Sequence, residues 1–427
     1  MRDIDMLPLL FKNTKLLQIQ NSNTIFKLLL LTGIGIYLWV FYIYPYFGGF
    51  DYFNFIHSCS NGYDFGLTVR GSNIFNPVKL AEAERELRDI GYSETGKIIY
   101  SPFSRLIFSV FNGLSNVVGY LLITLISVLL YIYSFKDLFL KKWKERGRFP
   151  LIFSLMLAFS FLSYGIFFEL QRGQWNLIAI SLAIISINLF RKDRRVLSLF
   201  LMSISIHLKI YPIILAVFVF NWKLTRKEVL YFISFLIFNL FLLCILGFDF
   251  LRDYIDLILK FSNNPYVWDG NLSIFNFSKV MGKIELFGYF FSLNNFLLIF
   301  TIIPFLTLLF FYVFKNKHIV ENHLFFISII LCLVLPSVSH DYKLSLLMYC
   351  IISFYYNGYF NSMSVFEKLL FICLVINVLL PMTCWGALFG QSKTVFLFSN
   401  KFITLLILEY ILLCDFLLNL KRNKSRT

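Results

Sequence analysis

The chain has 427 residues, of which 58% are hydrophobic, 19% aromatic and only 15% charged, and its mean hydropathy is +0.73. Soluble domains have roughly one-quarter charged residues, so this composition excludes an ordinary water-soluble protein. The net charge of +15 does not by itself indicate nucleic-acid binding, because membrane proteins collect Lys and Arg in their cytoplasmic loops. The seven cysteines have no CxxC spacing, which predicts neither a disulfide framework nor a metal site.

Apolar runs of the length needed to cross a membrane, about 20 residues, recur along the whole chain. Ten such runs lie near residues 25–45, 106–135, 149–168, 174–190, 229–247, 295–314, 323–339, 344–360, 368–385 and 395–419. A further apolar stretch, 196–221, is interrupted by Pro212 and is long for one helix and short for two. The pattern predicts an all-α polytopic integral membrane protein with about 10–12 membrane segments.

The basic segments on both sides of 196–221 decide how that stretch is expected to run. RKDRR at 191–195 and NWKLTRKE at 221–228 should both be cytoplasmic, which favours a hairpin of two short or broken helices over a single span. The whole +15 excess then belongs to the segments that this topology puts inside, namely 1–24, 136–148, 191–195, 221–228, 315–322, 361–368 and 420–427. Both termini are expected in the cytoplasm.

Two segments on the outer face are too long to be simple turns. In 46–105, Asn76 and Pro77 provide the first positions of a helix whose apolar residues include Ala83 and Leu87. In 248–294, FDFLRDYIDLILKF separates its acidic residues from an apolar face. Both patterns predict short interfacial helices on the outer side of the membrane.

The first outer segment also contains a candidate catalytic carboxylate. Asp51 follows the first span closely, after two glycines and among aromatic residues. A carboxylate in apolar surroundings can act as a general base. A solvated loop acid is the alternative, and Asp64 is the alternative acid in the same segment.

A second polar group lies at 169–176, in the short connection between two spans. Arg172 has a planar guanidinium suited to phosphate, whereas Gln174 and Asn176 can hydrogen-bond to hydroxyl groups. The alternative is a capped turn with an interhelical hydrogen-bonded pair.

Two further polar groups fall on the same predicted face. Lys209 lies at the hairpin tip, HLKIYP, where it needs an anion or a water-filled cavity unless it extends to the lipid headgroups. His340 and Lys343 lie in SVSHDYK, which is either a phosphate-binding junction or an exposed loop. The coincidence of these groups on one face predicts a site there.

The order of these motifs resembles glycosyltransferase family 87, a family of polyprenyl-phosphate-sugar-dependent, mannosyltransferase-like proteins of the GT-C superfamily. RGQWN followed by HLKIYP is similar to the family's GQ-x-N and K-x-x-P signature, and IIYSPF at 98–103 is similar to its Y-x-P segment. DGNLSIFNF at 269–277 resembles its N-x-S segment, and Asp51 matches the acid of the first loop. The resemblance covers roughly residues 46–345.

The resemblance implies a GT-C-like helical bundle in which residues 1–427 form a single transmembrane glycosyltransferase domain. The enzyme would move a mannose-like hexose from a polyprenyl-phosphate donor to a hydroxyl of a lipid or glycan acceptor, with inversion, at the outer face of a bacterial inner membrane. Its partners would be membrane lipid, the lipid-linked donor and the acceptor, with no cofactor, metal or nucleic acid. The expected roles are general base for Asp51, donor-phosphate binding for Arg172, Lys209, His340 and Lys343, and sugar or acceptor binding for Gln174, Asn176 and Asn271.

Two other functions fit the same hydropathy. A transporter or flippase of a lipid-linked or polar solute would use the broken hairpin as its central site, but it would often show repeated halves, and the sequence has no such repeat. A polymerase or ligase of lipid-linked oligosaccharides would use a diphosphate-linked donor.

Overall fold

A computed structural model describes residues 63–89, 99–146, 163–222, 225–263, 271–281, 293–314, 317–359, 363–379 and 401–424, with a few further positions between 153 and 161. Asp51 and the predicted first span lie outside the described residues. Within them the chain is helical and contains no strand, and Asn271 and His340 form an isolated β-bridge. The predicted all-α class is confirmed.

The described helices of the N-terminal half are α1 Tyr63–Arg70, α2 Pro77–Asp89, α3 Pro102–Ser109, α4 Asn116–Ser134, α5 Lys136–Arg146, α6 Tyr164–Arg172, α7 Asn176–Arg191 and α8 Arg195–Leu208. Those of the C-terminal half are α9 Arg226–Cys244, α10 Phe248–Asn263, α11 Ile274–Met281, α12 Leu293–Phe314, α13 Lys317–Val334, α14 Ser345–Tyr356, α15 Val365–Leu379 and α16 Lys401–Lys424. Short 3₁₀ segments cover Val110–Gly113, Tyr211–Val219 and Asp341–Leu344.

Several of these helices have the length and apolarity of membrane spans. Within the described residues, Asn116–Lys141, α9, α12 and Lys401–Leu420 each qualify alone, and α6 with α7 qualifies as a pair bent by 115°. The outward faces of α9 and α12 are apolar and exposed, with Ile237 at 63% and Phe310 at 52% exposure, as expected of surfaces that contact lipid. The protein is a polytopic membrane protein, and the number of 10–12 segments stays a prediction.

The apolar run at 106–135 is not one continuous helix, and its span-length part begins only at Asn116. A helix and a 3₁₀ turn end at Gly113, and α4 begins afresh at Asn116. Ser115 makes this break possible because its side chain accepts a hydrogen bond from the backbone of Val118 at 3.3 Å, which caps the new helix. The longer apolar runs on both sides hide the break, although Asn112-Gly113 and the capping Ser115 are residues typical of a turn and of a helix start.

The stretch 196–221 forms the predicted hairpin. Helix α8 ends at Leu208, Lys209 is extended, and the chain returns as the 3₁₀ segment Tyr211–Val219. Arg195 at the start of α8 lies 3.6 Å from Glu228 in the first turn of α9. The chain therefore enters and leaves the hairpin at the same end of the bundle.

Described residues of four segments predicted to be cytoplasmic, 136–148, 191–195, 221–228 and 315–322, lie together at one end of the helix bundle, here called the basic end. Its contacts join Lys192 to Asp137 at 2.5 Å and Arg191 to Glu321 at 3.0 Å. Helix α7 has 16 residues and is therefore about 24 Å long, so its first residue, Asn176, lies far from these pairs. The opposite end, which contains Asn176 and Lys209, is here called the site end.

The predicted interfacial helices both form. Asn76 caps α2 by accepting a hydrogen bond from the backbone of Lys79 at 3.1 Å, and Ala83 and Leu87 are buried as their spacing predicts. The second, α10, covers Phe248–Asn263, and its Leu257 is buried. Their position at the membrane surface stays a prediction.

Candidate active site

An ion pair between α1 and α6 lies at the centre of the site end. Arg172, the last residue of α6, donates from Nε to Oδ2 of Asp64 at 2.7 Å and from Nη2 to Oδ1 at 2.6 Å. Gln174 donates from Nε2 to the same carboxylate at 2.6 Å. Asp64 and Arg172 are 13% and 17% exposed, so this bidentate pair is largely removed from water.

The turn between α6 and α7 brings Arg172 and Gln174 to one carboxylate. Gly173 ends α6 in the left-handed conformation, with φ +66°, which glycine adopts without a steric penalty. A Cβ at this position would lie 2.7 Å from Cβ of Phe65, the neighbour of Asp64. The close approach of α1 therefore requires a residue without a side chain here.

Lys209 joins the same cluster from the hairpin tip. Its ammonium donates to the hydroxyl of Tyr100 at 2.7 Å and to Oε1 of Gln174 at 3.3 Å, and it lies 4.5 Å from the centre of the Tyr100 ring. Gln174 thus connects Lys209 to the ion pair of Asp64 and Arg172, because its amide nitrogen donates to Asp64 and its amide oxygen accepts from Lys209. We call Asp64, Tyr100, Arg172, Gln174 and Lys209 the tip cluster.

The Y-x-P segment holds the hairpin tip in place. Ser101 and Ser104 both donate to the backbone carbonyl of His207, in the last turn of α8, the former at 2.8 Å. Ser101 also caps α3 by accepting from the backbone of Ser104 at 3.2 Å. These bonds satisfy a carbonyl that the end of a helix leaves unpaired, and they put Tyr100 beside Lys209.

Beneath the tip cluster a buried carboxylate organises the turn between α6 and α7. Glu169 is fully buried, and its two oxygens accept from Nδ2 of Asn176 and from the backbone of Leu177, each at 2.9 Å. These contacts satisfy both oxygens of the buried carboxyl group, and one of them uses an N–H that the first turn of α7 would otherwise leave unpaired. Asn176 also accepts from the hydroxyl of Tyr211 at 3.0 Å, so its amide serves the packing of the turn.

Lys343 approaches this region from the 3₁₀ segment after α13. Its ammonium donates to the carbonyl of Val338 at 2.9 Å and lies 5.3 Å from the centre of the Tyr211 ring. Burial and the neighbouring charge of Lys209 lower the pKa of Lys343 to about 7. Its charge therefore depends on pH within the physiological range.

Asn271 fixes the loop that contains His340. Its Oδ1 accepts from the backbones of Ser339 at 2.8 Å and Ser273 at 3.1 Å, and its Nδ2 donates to the carbonyl of Ser337 at 3.2 Å. Asn271 is fully buried and forms the β-bridge with His340. The structure thus gives Asn271 a role in holding the loop, and its predicted contact with sugar or acceptor stays a prediction.

The structure unites some of the predicted residues and separates others. Arg172, Gln174 and Lys209 share one hydrogen-bonded cluster, whereas His340 pairs with Asn271 and Asn176 is engaged below the cluster. Asp51 lies outside the described residues, so its role as base stays a prediction.

Tyr100, Glu169 and Tyr211 have no role in the site that the sequence predicts, and Asp64 is only the alternative to Asp51 in that site. The signals were present: Tyr100 begins the Y-x-P segment, Glu169 begins the polar run at 169–176, and Tyr211 lies in the hairpin tip. Nothing in the local sequence shows that Asp64 contacts Arg172, because the two residues are 108 positions apart.

A comparison with protein families gives a match that includes most of the tip cluster. The model of glycosyltransferase family 87 matches residues 99–336, which is more than half of the chain and includes Tyr100, Arg172, Gln174 and Lys209. Asp51, Asp64, His340 and Lys343 lie outside that range. No curated protein matches the chain. The suspected family is therefore confirmed: the chain belongs to glycosyltransferase family 87 and is a membrane glycosyltransferase.

Proposed function

We propose that the protein is a GT-C-type enzyme that transfers a mannose-like hexose from a polyprenyl-phosphate donor to a hydroxyl of a lipid or glycan acceptor at the outer face of a bacterial inner membrane. The observation that carries the proposal is the tip cluster, in which Asp64 and Gln174 together hold the guanidinium of Arg172 and the ammonium of Lys209 in one hydrogen-bonded set. Two positioned cations are suited to the phosphate of such a donor.

The chemistry requires stabilisation of a leaving phosphate. The bond between the anomeric carbon and the phosphate oxygen breaks while the acceptor oxygen attacks from the opposite face, which inverts the configuration. Negative charge grows on the phosphate, and fixed cations nearby lower the energy of that transition state. Lys343 is a third cation for this role. We assign His340, in the same loop, to binding of the donor phosphate as well.

The acceptor hydroxyl must lose its proton as it attacks, and we assign this step to Asp51. Asp64 suits another role, because its two oxygens already accept three hydrogen bonds from Arg172 and Gln174. Asp64 is therefore a positioning residue that holds these side chains toward the donor. The proposed contacts of the sugar or the acceptor remain Gln174, Asn176 and Asn271. Of these three residues, Gln174 belongs to the tip cluster.

The test is a transfer assay with purified protein and radiolabelled polyprenyl-monophosphate mannose as donor. We expect transfer from the monophosphate donor, and a loss of about 10²–10⁴ in rate for Asp51→Asn, as is typical when a general base is removed. Asp89→Asn, in the same outer segment, is the control. A wild-type rate for Asp51→Asn would remove Asp51 as the base.

The two alternative functions are separated by the same assay. Transfer from a diphosphate-linked donor, with none from the monophosphate, would identify a polymerase or ligase. No transfer from either donor, with uptake of a labelled lipid-linked sugar into vesicles that contain the protein, would identify a transporter.

A further inference from the structure

A cavity of about 850 Å³ opens at the basic end, far from the tip cluster. It lies between α5, α7, α13 and α14, and Asn188 in the last turns of α7 lines it. The volume falls in the range of small-molecule sites. The transferase chemistry proposed above uses no residue of this cavity, so the cavity is independent of that proposal.

One wall of the cavity is charged. Lys141, Arg191 and Lys192 line it together with Asp137 and Glu321, so cations outnumber anions. Arg191 is held in place because it donates to Glu321 at 3.0 Å and to Oδ1 of Asn188 at 3.1 Å. The ammonium of Lys192 donates to Asp137 at 2.5 Å, and its side chain is 54% exposed, so further N–H donors of this group can reach a ligand.

Other lining residues of the cavity are neutral hydrogen-bonding groups. Asn322 donates to the hydroxyl of Tyr359 at 2.7 Å, and Asn357 donates to Oδ1 of Asn322 and to Oγ of Ser353, each at 3.3 Å. All four residues line the cavity. A linked set of amides and hydroxyls offers both donors and acceptors, which is the chemistry that recognises hydroxyl groups of a polyol.

We propose that this cavity binds a phosphate ester that also carries free hydroxyl groups, such as the headgroup of a phosphoglycerol lipid or free glycerol phosphate. The phosphate lies against Lys141 and Lys192, and the hydroxyls lie against Asn322 and Asn357. Basic pockets between membrane helices are suited to anionic headgroups, and the positive loops around this one raise the local concentration of anions. Ile184, Ile187 and Phe325 give the cavity an apolar part that suits the first methylene groups of a lipid's acyl chains.

The test measures how much radiolabelled phosphatidylglycerol the purified full-length protein retains in detergent, with phosphatidylcholine as the neutral-headgroup comparison. We expect selective retention of phosphatidylglycerol and about a tenfold weaker affinity in the double variant Lys141→Gln/Lys192→Gln, because charge-assisted hydrogen bonds to phosphate are lost. The matched control is Arg226→Gln/Lys227→Gln, which removes two exposed cations that do not line the cavity. This control should bind as the parent protein does.

A second variant tests the cavity without altering charge. Ser353→Phe places a ring in the space and should reduce retention as strongly as the cation double variant. Folding of every variant is checked by its elution as a single species and by its transferase rate. Equal losses in both double variants, or unchanged retention in Ser353→Phe, would overturn the proposal.

Competition distinguishes the two sources of the ligand. If soluble glycerol 1-phosphate displaces phosphatidylglycerol from the parent protein and binds more weakly to Lys141→Gln/Lys192→Gln, the site takes the free ester. If it does not compete while phosphatidylglycerol is retained, the site takes the lipid. Either result supports the proposed chemistry, and binding of neither ligand would refute it.

Discussion

Asp64 shows how the role of a residue depends on its partners. From sequence it is one of two acids that could act as base, and in the structure its carboxylate accepts hydrogen bonds from both Arg172 and Gln174. Hydrogen bonds to charged groups contribute roughly 1.5–3 kcal/mol each, so the carboxylate largely determines where the guanidinium points. Loss of this carboxylate should therefore affect donor binding more than the rate of the chemical step.

We predict that Asp64→Asn raises the KM for the donor by about 10- to 100-fold, because each lost charge-assisted bond costs roughly 1.5–3 kcal/mol and tenfold corresponds to about 1.4 kcal/mol. The kcat at saturating donor should fall much less, since Asp64 takes no proton from the acceptor. Steady-state kinetics separate the two parameters. Asp64→Glu should recover part of the donor affinity, and a fall in kcat alone would instead identify Asp64 as the base.

A second prediction at this scale concerns pH. The pKa of Lys343 is lowered to about 7 by burial and by Lys209, while Glu169 acts in the opposite direction. Lys343 is charged below this pH and neutral above it, so donor affinity should fall as pH rises from 6 to 8.5. The donor is a phosphodiester whose own charge is constant over this interval.

The measurement is the donor KM across that interval in the parent protein and in Lys343→Arg. Arginine keeps its charge at every pH tested, so the variant should show a flatter profile. An equally steep profile in Lys343→Arg would assign the titration to another group.

At the scale of helices, close approach between α6 and the 3₁₀ segment Asp341–Leu344 positions Lys343. A Cβ on Gly165 would lie 2.5 Å from the backbone nitrogen of Ser345 and 2.7 Å from the carbonyl carbon of Leu344. Backbone atoms on the partner cannot rotate away as a flexible side chain can. Glycine is therefore required for packing at this point, although the sequence around it reads only as part of an apolar span.

We predict that Gly165→Ala destabilises the protein by about 1–3 kcal/mol, the usual cost of overpacking, and weakens donor use because the Lys343 segment must shift. Thermal unfolding in detergent and the donor KM are the measurements. Gly66→Ala in α1 is the matched control, since a Cβ there meets no atom within 4 Å. Equal stability of the two variants would contradict the proposed close contact.

At the scale of the whole molecule, the ion pairs among segments 137, 191–195, 228 and 321 gather the basic loops at one end, and the tip cluster lies at the other. The direction of helix α16 agrees with this arrangement. His323, near the start of α13, contacts Asp415 in the C-terminal part of α16 at 2.9 Å, so α16 runs toward the basic end. This arrangement fits a cytoplasmic C-terminus under the rule that positive loops stay inside.

Orientation in the membrane gives a direct prediction. A membrane-impermeant maleimide added to intact spheroplasts should label Lys79→Cys in α2 and should not label Arg194→Cys at the basic end. Both positions are exposed, so permeabilisation should allow labelling of both. The parent protein, with its natural cysteines, gives the background. Labelling of Arg194→Cys alone in intact spheroplasts would reverse the proposed orientation.

Membrane class, the helix α2, the 196–221 hairpin and the grouping of basic segments could all be predicted from the sequence. These properties depend on hydropathy, spacing and charge within short segments, so they can be read along the chain. The break at Gly113 was missed because both sides of it are apolar, although Asn112-Gly113 and Ser115 are typical of a turn and of a helix start. The motifs at Tyr100, Gln174 and Lys209 indicated the family, and the family model confirms that indication.

Only the tertiary structure decided which polar residues meet. Tyr100 contacts Lys209 across 109 positions, and Asp64 contacts Arg172 across 108. Such contacts depend on the 115° bend between α6 and α7, the left-handed Gly173 and the hairpin return at Lys209. A change of one backbone dihedral angle in any of these turns would move the side chains apart. No local property of the sequence specifies how the three turns together place these side chains.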